Sequence, residues 1–525
     1  MFIINFLFMK IMPREYQEAI AKSAISNGDT LVVLPTGTGK TVIGALIIEH
    51  FLKQSKKCMF LAPTRPLVFQ HEKRLKEFFY DSGYKILSVT GQLKKSERNE
   101  MYKNADVIVA TPQTIKNDLD NEKDLGNDSE NNSFISNFSC IIIDECHRAV
   151  GQYAYTQIAK AAKEQERIGN KILLIGLTAS PGGKYDKIEE IMKALSIENV
   201  EIRTENDKDL ADYVQKIRIK WIEVELNQEI KSAISLLEEL MDNKIKTLKE
   251  LNINVSKKMP KGRLSQIYNT LIENKYLVAL AHFSVFYNAY HGIELLESEG
   301  PFAFIKFIER MKERKNRVDW RFTQAANKVR NTEHPKIDKL IELIKEREDK
   351  KIIIFAQYRD QVNHIVEILN KNGFNAKAFL GKGKEGTSAQ KMQKQTLQEF
   401  GEGKVQILVA SSIGEEGIDI PAADVAIFYE PVPSEIRMIQ RRGRVGRTKE
   451  GEVLILVAKG TRDETFKYVS RAREKRMKKI IKGIAQKRKG KKIHEENENV
   501  NEKHEGKKKT KQITQITLFD LVDEI

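Results

Sequence analysis

Leu34-Pro35-Thr36-Gly37-Thr38-Gly39-Lys40-Thr41 follows an apolar run, Leu31-Val32-Val33, and leads into another, Val42-Ile43-Gly44-Ala45-Leu46-Ile47-Ile48. Strand, glycine-containing loop and helix, in that order, are the setting in which a loop binds phosphate. Gly37 and Gly39 let backbone N–H groups turn toward an anion with no Cβ in the way. The N-terminus of the helix adds partial positive charge at the same point. Lys40 is placed to reach the β- and γ-phosphates of a nucleotide, and the Thr41 hydroxyl to hold magnesium. Leu34 stands where the usual loop has its first glycine, the one departure from the pattern.

At 525 residues the chain is too long for one ordinary core, so two to four domains are expected. Its net charge is +16, and the basic excess is concentrated: residues 471–492 carry twelve Lys or Arg against one acid. A basic tail on a mildly basic body points to a polyanionic partner. The three cysteines form no CxxC pair, which argues against a disulfide framework or zinc site and for a reducing compartment, the cytoplasm. The apolar start, residues 1–12, is too short to span a bilayer and has no basic residue ahead of its apolar run. It reads as a packed extension, or as a start assigned too early with Met9 or Met12 as the true one; no membrane association is expected.

Between residues 31 and 180, nearly unbroken apolar runs at 31–34, 58–62, 107–110, 140–143 and 172–177 alternate with helical patterns. Runs of this kind mark parallel strands buried on both faces, hence a doubly wound parallel-sheet α/β lobe. Residues 117–137 interrupt it with a polar loop. From 227 to 332 the texture turns helical, with apolar residues three or four apart: Ile230, Ala233, Leu237 and Leu240, then Leu271, Tyr276, Leu280, Phe283 and Phe286. These aromatics read as core. Runs at 352–355, 405–409, 425–428 and 453–457 announce a second α/β lobe. The expected divisions are an extension at 1–12, a first lobe at 13–225, an all-helical insertion at 226–330, a second lobe at 331–470, a basic disordered tail at 471–511 and an apolar peptide at 512–525.

Ile141-Ile142-Ile143-Asp144-Glu145-Cys146-His147 is a strand that ends in two carboxylates. Asp144 can hold the magnesium of the nucleotide on Lys40, directly or through water. Glu145 is placed to orient or deprotonate an attacking water.

Asp-Glu-Cys-His resembles the motif II box of superfamily 2 helicases, a variant of the DEAH form. The family's other signatures follow in order. Arg14, Tyr16 and Gln17 resemble its adenine-reading element, residues 62–67 motif Ia and residues 110–113 motif Ib. Residues 177–180 resemble motif III, 354–359 motif IV, 414–421 motif V and 440–447 motif VI. The resemblance covers roughly residues 13–460, and the ordered set is far more specific than any one motif. It implies two RecA-like lobes that use ATP and Mg2+. Arg14, Gln17, Pro35, Thr36, Gly37, Thr38, Gly39, Lys40, Thr41 and Asp419 would bind the nucleotide, with Asp419 on the ribose. Thr41 and Asp144 would hold the metal. Lys40, Asp144, Glu145, Gln440, Arg444 and Arg447 would be catalytic, the two arginines acting as arginine fingers from the second lobe. Arg65, Thr111 and Ser411 would contact nucleic-acid phosphates, and Thr178 and Ser180 would couple that contact to the carboxylate box.

A helical domain between motifs III and IV is similar to archaeal Hef and its FANCM-type relatives, which implies a monomeric DNA helicase or translocase on forked or branched DNA in replication-fork repair. RIG-I-like and Dicer helicases also carry helical insertions and bind double-stranded RNA, so an RNA-directed enzyme is one alternative. An ATP-switched scaffold tethered to a sliding clamp is the other. Residues 313–319 match the Glu-Arg-Lys-x-x-x-Asp signature of XPF-type nucleases, but in a helical context with no Gly-Asp carboxylate ahead of it. Neither cleavage activity nor a nuclease domain after motif VI is expected. Near the end, Gln515, Leu518, Leu521 and Val522 resemble a sliding-clamp-binding peptide, with Leu521-Val522 in place of the usual aromatic pair.

Overall fold

Among the described residues, thirteen strands form two wholly parallel sheets in the computed structural model of the chain. The structure describes residues 12–124, 133–151, 153–179, 185–204, 207–211, 213, 217–313, 318–380, 387–411, 421–431, 451–469 and 472. The first sheet contains β1 (Thr30–Val33), β2 (Lys57–Leu61), β3 (Ile86–Val89), β4 (Val107–Ala110), β5 (Phe138–Asp144), β6 (Leu173–Thr178) and β7 (Asn199–Ile202), in the order β3-β4-β2-β5-β6-β1-β7. Helices cover the sheet, so its central strands are buried along their length and must be apolar.

Parallel pairing brings the carboxyl ends of β5, β6 and β1 side by side. Asp144 is in register with Leu177, and Val33 with Thr178. The phosphate loop, the carboxylate box and motif III therefore open onto one edge, where doubly wound sheets place ligands. Gly44 lets the helix Lys40–Leu52 lie close on this sheet: a Cβ there would stand 3.0 Å from the Phe60 ring.

The second sheet contains β8 (Ile217–Val224), β9 (Ile352–Ala356), β10 (Ala376–Phe379), β11 (Ile407–Ser411), β12 (Val425–Phe428) and β13 (Gly451–Ala458), in the order β10-β11-β9-β12-β13-β8. Here the structure corrects the expected boundary at 225. Strand β8 lies within the stretch assigned to the first lobe, yet it pairs along all eight residues with β13 of the second sheet. The helical domain is thus inserted into the second lobe, between β8 and β9.

That domain comprises the helices Gln228–Glu250, Lys261–Glu273, Leu277–Ser298, Pro301–Glu313 and Trp320–Val329. Asn227 caps the first of them, accepting from the Ile230 N–H at 3.1 Å. Its core gathers Ile230, Leu237, Phe283, Phe286, Phe304 and Phe322. Tyr276, expected in that core, is exposed at 57% because it precedes the helix that buries Phe283. Glu313 ends one helix and Asp319 caps another, accepting from the Arg321 N–H at 3.1 Å. Residues 314–317, the middle of the nuclease-like signature, lie outside the described residues.

The insertion is fastened to the second sheet by a buried charge. Lys336 Nζ donates to Asp463 Oδ2 at 2.6 Å and to the Ser298 carbonyl at 2.9 Å. The Ser298 hydroxyl donates to Asp463 Oδ1 at 2.6 Å, and the Ala458 N–H at the end of β13 donates to Oδ2. Lys336 is wholly shielded from solvent. Removing one partner leaves the other charge uncompensated. Lys336→Met or Asp463→Ala should therefore lower unfolding stability by about 3–5 kcal/mol in denaturant titration. A loss within the range of ordinary surface substitutions, below about 0.5 kcal/mol, would contradict this.

Candidate functional site

The phosphate loop is held in shape by the segment that precedes it. Arg14 is the N-cap of the helix Glu15–Asn27, and its N–H donates to Gln17 Oε1 at 2.9 Å. That bond turns the other end of the amide toward the loop, where Gln17 Nε2 donates to the Thr38 carbonyl at 3.0 Å. The buried Tyr16 hydroxyl donates to the same carbonyl at 2.5 Å. Thr38 Oγ1 donates to the Pro35 carbonyl at 2.7 Å and closes the loop on itself. Thr36 and Pro35 are half-buried, and Gly37 is exposed. The Arg14 guanidinium lies 4.6 Å over the Tyr213 ring, a partner that sequence reading missed.

Gly37 and Gly39 have φ of +79° and +80°, the left-handed region that glycine enters without strain. A Cβ on Gly39 would also lie 2.4 Å from Gln17 Nε2. Leu34 has a different task from the glycine it replaces. It is fully buried in the first core, and its N–H extends the β1–β6 ladder by donating to the Thr178 carbonyl at 3.1 Å.

Lys40 opens the next helix and Thr41 follows it. Lys40 Nζ donates to the carbonyls of Leu34 and Pro35 at 3.3 and 3.2 Å. Burial pulls its ammonium below the ordinary lysine value, against the opposing charges of Glu145 and Asp144.

Asp144 ends β5 and is buried. Its Oδ2 lies 2.9 Å from His71 Nε2, and its carbonyl accepts from the Tyr155 hydroxyl at 2.7 Å. Burial alone would raise its pKa. The hydrogen bond and charge of His71, with the charge of Lys40, outweigh that and hold the carboxyl below its usual value. Glu145 takes a left-handed φ of +48°, uncommon for a non-glycine residue and frequent at working sites. Its Oε2 stands 3.2 Å from His147 Nδ1 but has no hydrogen-bond partner among the described residues. His147 Nδ1 is 3.1 Å from Thr178 Oγ1. Thr178 therefore touches the box through His147 and the loop through its own carbonyl.

The donor set suits a magnesium nucleotide. One buried carboxylate and a hydroxyl are the hard oxygen ligands magnesium takes alongside phosphate. Among the described residues no group of three or more His, Cys, Asp or Glu is arranged as an all-protein metal cage.

Of the expected phosphate contacts, Arg65 is exposed at the first position of the helix Arg65–Phe78. Thr111 is half-buried, with its hydroxyl 2.7 Å from that of Thr114. Ser411 is fully buried at the end of β11, and its hydroxyl has no partner among the described residues. That placement does not fit direct contact with a strand. Ser180, Asp419, Gln440, Arg444, Arg447 and the peptide with Gln515, Leu518, Leu521 and Val522 lie outside the described residues. Sequence reading missed His71 and Tyr155. The only trace of His71 was a histidine on an apolar stripe of Val68, Leu75 and Phe78.

Gly39→Ala should weaken binding of a fluorescent ADP analogue roughly 5- to 150-fold, from about 1–3 kcal/mol of backbone strain. Unchanged affinity would show that the loop does not need this conformation.

Two family models match the chain: Type III restriction enzyme, res subunit, over residues 10–183, and helicase conserved C-terminal domain over residues 335–449. A protein of Methanocaldococcus jannaschii, provisionally named an ATP-dependent RNA helicase, is 39% identical over 90% of this chain and 61% of its own length. The DEAD-box ATP-dependent DNA helicase Fancm of Drosophila melanogaster is 29% identical over 91% of this chain, which spans 35% of that protein. The crystal structure of the Pyrococcus furiosus Hef helicase domain is 39% identical and superposes with a TM-score of 0.67, over 87% of this chain and 98% of that one. With two parallel-sheet lobes, the helicase signatures in order and this breadth of identity, the chain belongs to the ATP-dependent superfamily 2 helicases of the Hef/FANCM type.

Proposed function

We propose that the chain is an ATP-driven DNA helicase or translocase that remodels forked or branched DNA in replication-fork repair. The observation that carries the reading is the convergence of Lys40, Asp144, Glu145 and Thr178 on one sheet edge, where His147 stands between Glu145 and Thr178. Fancm of Drosophila, a relative by sequence, is named a DNA helicase. The basic charge of the chain favours a polyanion.

In this mechanism the loop N–H groups and Lys40 bind the phosphates, while Gln17 and Arg14 recognise the base. Thr41 and Asp144 would hold magnesium, which would supply positive charge to offset that of the nucleotide phosphates. Glu145 takes a proton from the attacking water. Gln440, Arg444 and Arg447 complete the site from the second lobe, the arginines stabilising the transferring phosphoryl group; such fingers are worth on the order of 10³-fold or more in rate. Asp419 contacts the ribose. Arg65 and Thr111 grip backbone phosphates, which gives affinity without sequence reading. Thr178 and Ser180 relay the state of the carboxylate box. The motor works as a monomer in the cytoplasm, and the residues 515–522 peptide tethers it to a sliding clamp.

An RNA-directed reading is favoured by the names of two relatives, the Methanocaldococcus protein and the DEAD-box ATP-dependent RNA helicase FANCM of Arabidopsis thaliana. Phosphate contacts do not separate the two polymers, whereas 2′-OH contacts do. ATPase stimulation across fork, junction, overhang and duplex RNA at one salt concentration decides it. Fork and junction DNA should stimulate most; preferential stimulation by duplex RNA would overturn the DNA assignment. Glu145→Gln should lower DNA-stimulated turnover roughly 10²- to 10⁴-fold with DNA binding kept, and near-normal turnover would contradict the assigned base.

A further inference from the structure

His71 makes its polar contact with the carboxylate box although it belongs to a different motif's helix. It lies on the buried stripe of the helix Arg65–Phe78, with Val68, Leu75 and Phe78. An apolar residue would fill that place without enclosing polar atoms. Instead the ring packs against Phe60 of β2, with centroids 4.5 Å apart, and sets Nε2 2.9 Å from Asp144 Oδ2. Nδ1 is buried with no partner among the described residues. A buried nitrogen left unpaired is unfavourable, so packing alone gives no reason for histidine here. The bond to Asp144 gives one. The same helix begins six residues earlier at exposed Arg65, about 9 Å along its axis.

We propose that His71 is a positioning residue that fixes the Asp144 carboxylate for magnesium and transmits movement of the Arg65 end of its helix to that carboxylate. The inference rests on the reading that Asp144 holds the metal and Arg65 meets nucleic acid. The Nε2–H···Oδ2 bond restricts rotation of the carboxylate at the end of β5, as carboxylate-orienting groups do around metals. A helix displaced by a strand at Arg65 carries the imidazole with it and reorients the carboxylate. Nucleic-acid contact and metal geometry then share one rigid element.

The test compares the full chain with His71→Ala, His71→Gln and Asp144→Asn. It reads affinity for a fluorescent ADP analogue with and without Mg2+, DNA affinity, DNA stimulation of ATPase, and melting temperature. His71→Ala should lose roughly 10- to 100-fold of the magnesium-dependent gain in nucleotide affinity. It should keep its magnesium-free affinity and its DNA affinity while losing DNA stimulation. His71→Gln, whose amide N–H can reach the same oxygen, should recover most of both. A His71→Ala protein with the full magnesium gain, beside an Asp144→Asn protein that has lost it, would overturn the role of His71 alone. Retention of the gain in Asp144→Asn would remove the metal reading beneath it. A Gln variant as impaired as Ala at an unchanged melting temperature would reduce His71 to packing and overturn the proposal.

Discussion

Asp144 is a carboxylate taken out of water at the end of an apolar strand, and a charge so placed persists only among donors and opposite charge. His71 and Lys40 supply them from two different helices. Satisfying this one carboxylate fixes where the helix Arg65–Phe78 lies on the sheet, how the phosphate-loop helix approaches it, and where β5 stops. Beyond it the chain turns through the left-handed Glu145 to His147 and reaches Thr178, whose backbone pairs with Leu34 at the mouth of the loop. The phosphate loop, the carboxylate box and Thr178 are thereby part of one paired network rather than separate loops.

The second lobe uses a buried charge for a different end. Lys336 and Asp463 of that lobe hold Ser298 of the helical insertion, which β8 and β9 bracket in the chain. The insertion is carried by the second lobe at both its ends. Further contacts run along the motif IV helix Arg359–Lys371, where Arg310 pairs with Asp360 and Phe302 stacks on His364 at 4.0 Å.

The central strands were legible because burial on both faces leaves an unbroken apolar run. The strands that escaped notice, β3, β7, β8 and β10, are the four outermost strands of the two sheets. Edge strands keep one side open, and their mixed sequences, such as Asn199-Val200-Glu201-Ile202 and Ala376-Lys377-Ala378-Phe379, carry little of that signal. Missing β8 displaced the lobe boundary. The phosphate loop and carboxylate box were readable because the chemistry dictates residue type at fixed spacing. His71 was not, because its partner is 73 positions away and only the parallel pairing of β2 with β5 brings them together. Leu34, the loop's one departure from the usual pattern, is a core residue.

Under the proposed function, nucleotide turnover at this site drives movement along DNA and does not merely switch a scaffold. Displacement of a third strand from a triplex on duplex DNA measures that movement directly. A motor should displace the strand with ATP and leave it bound with a non-hydrolysable analogue. Equal displacement under both nucleotides, or vigorous DNA-stimulated hydrolysis with no displacement, would contradict it.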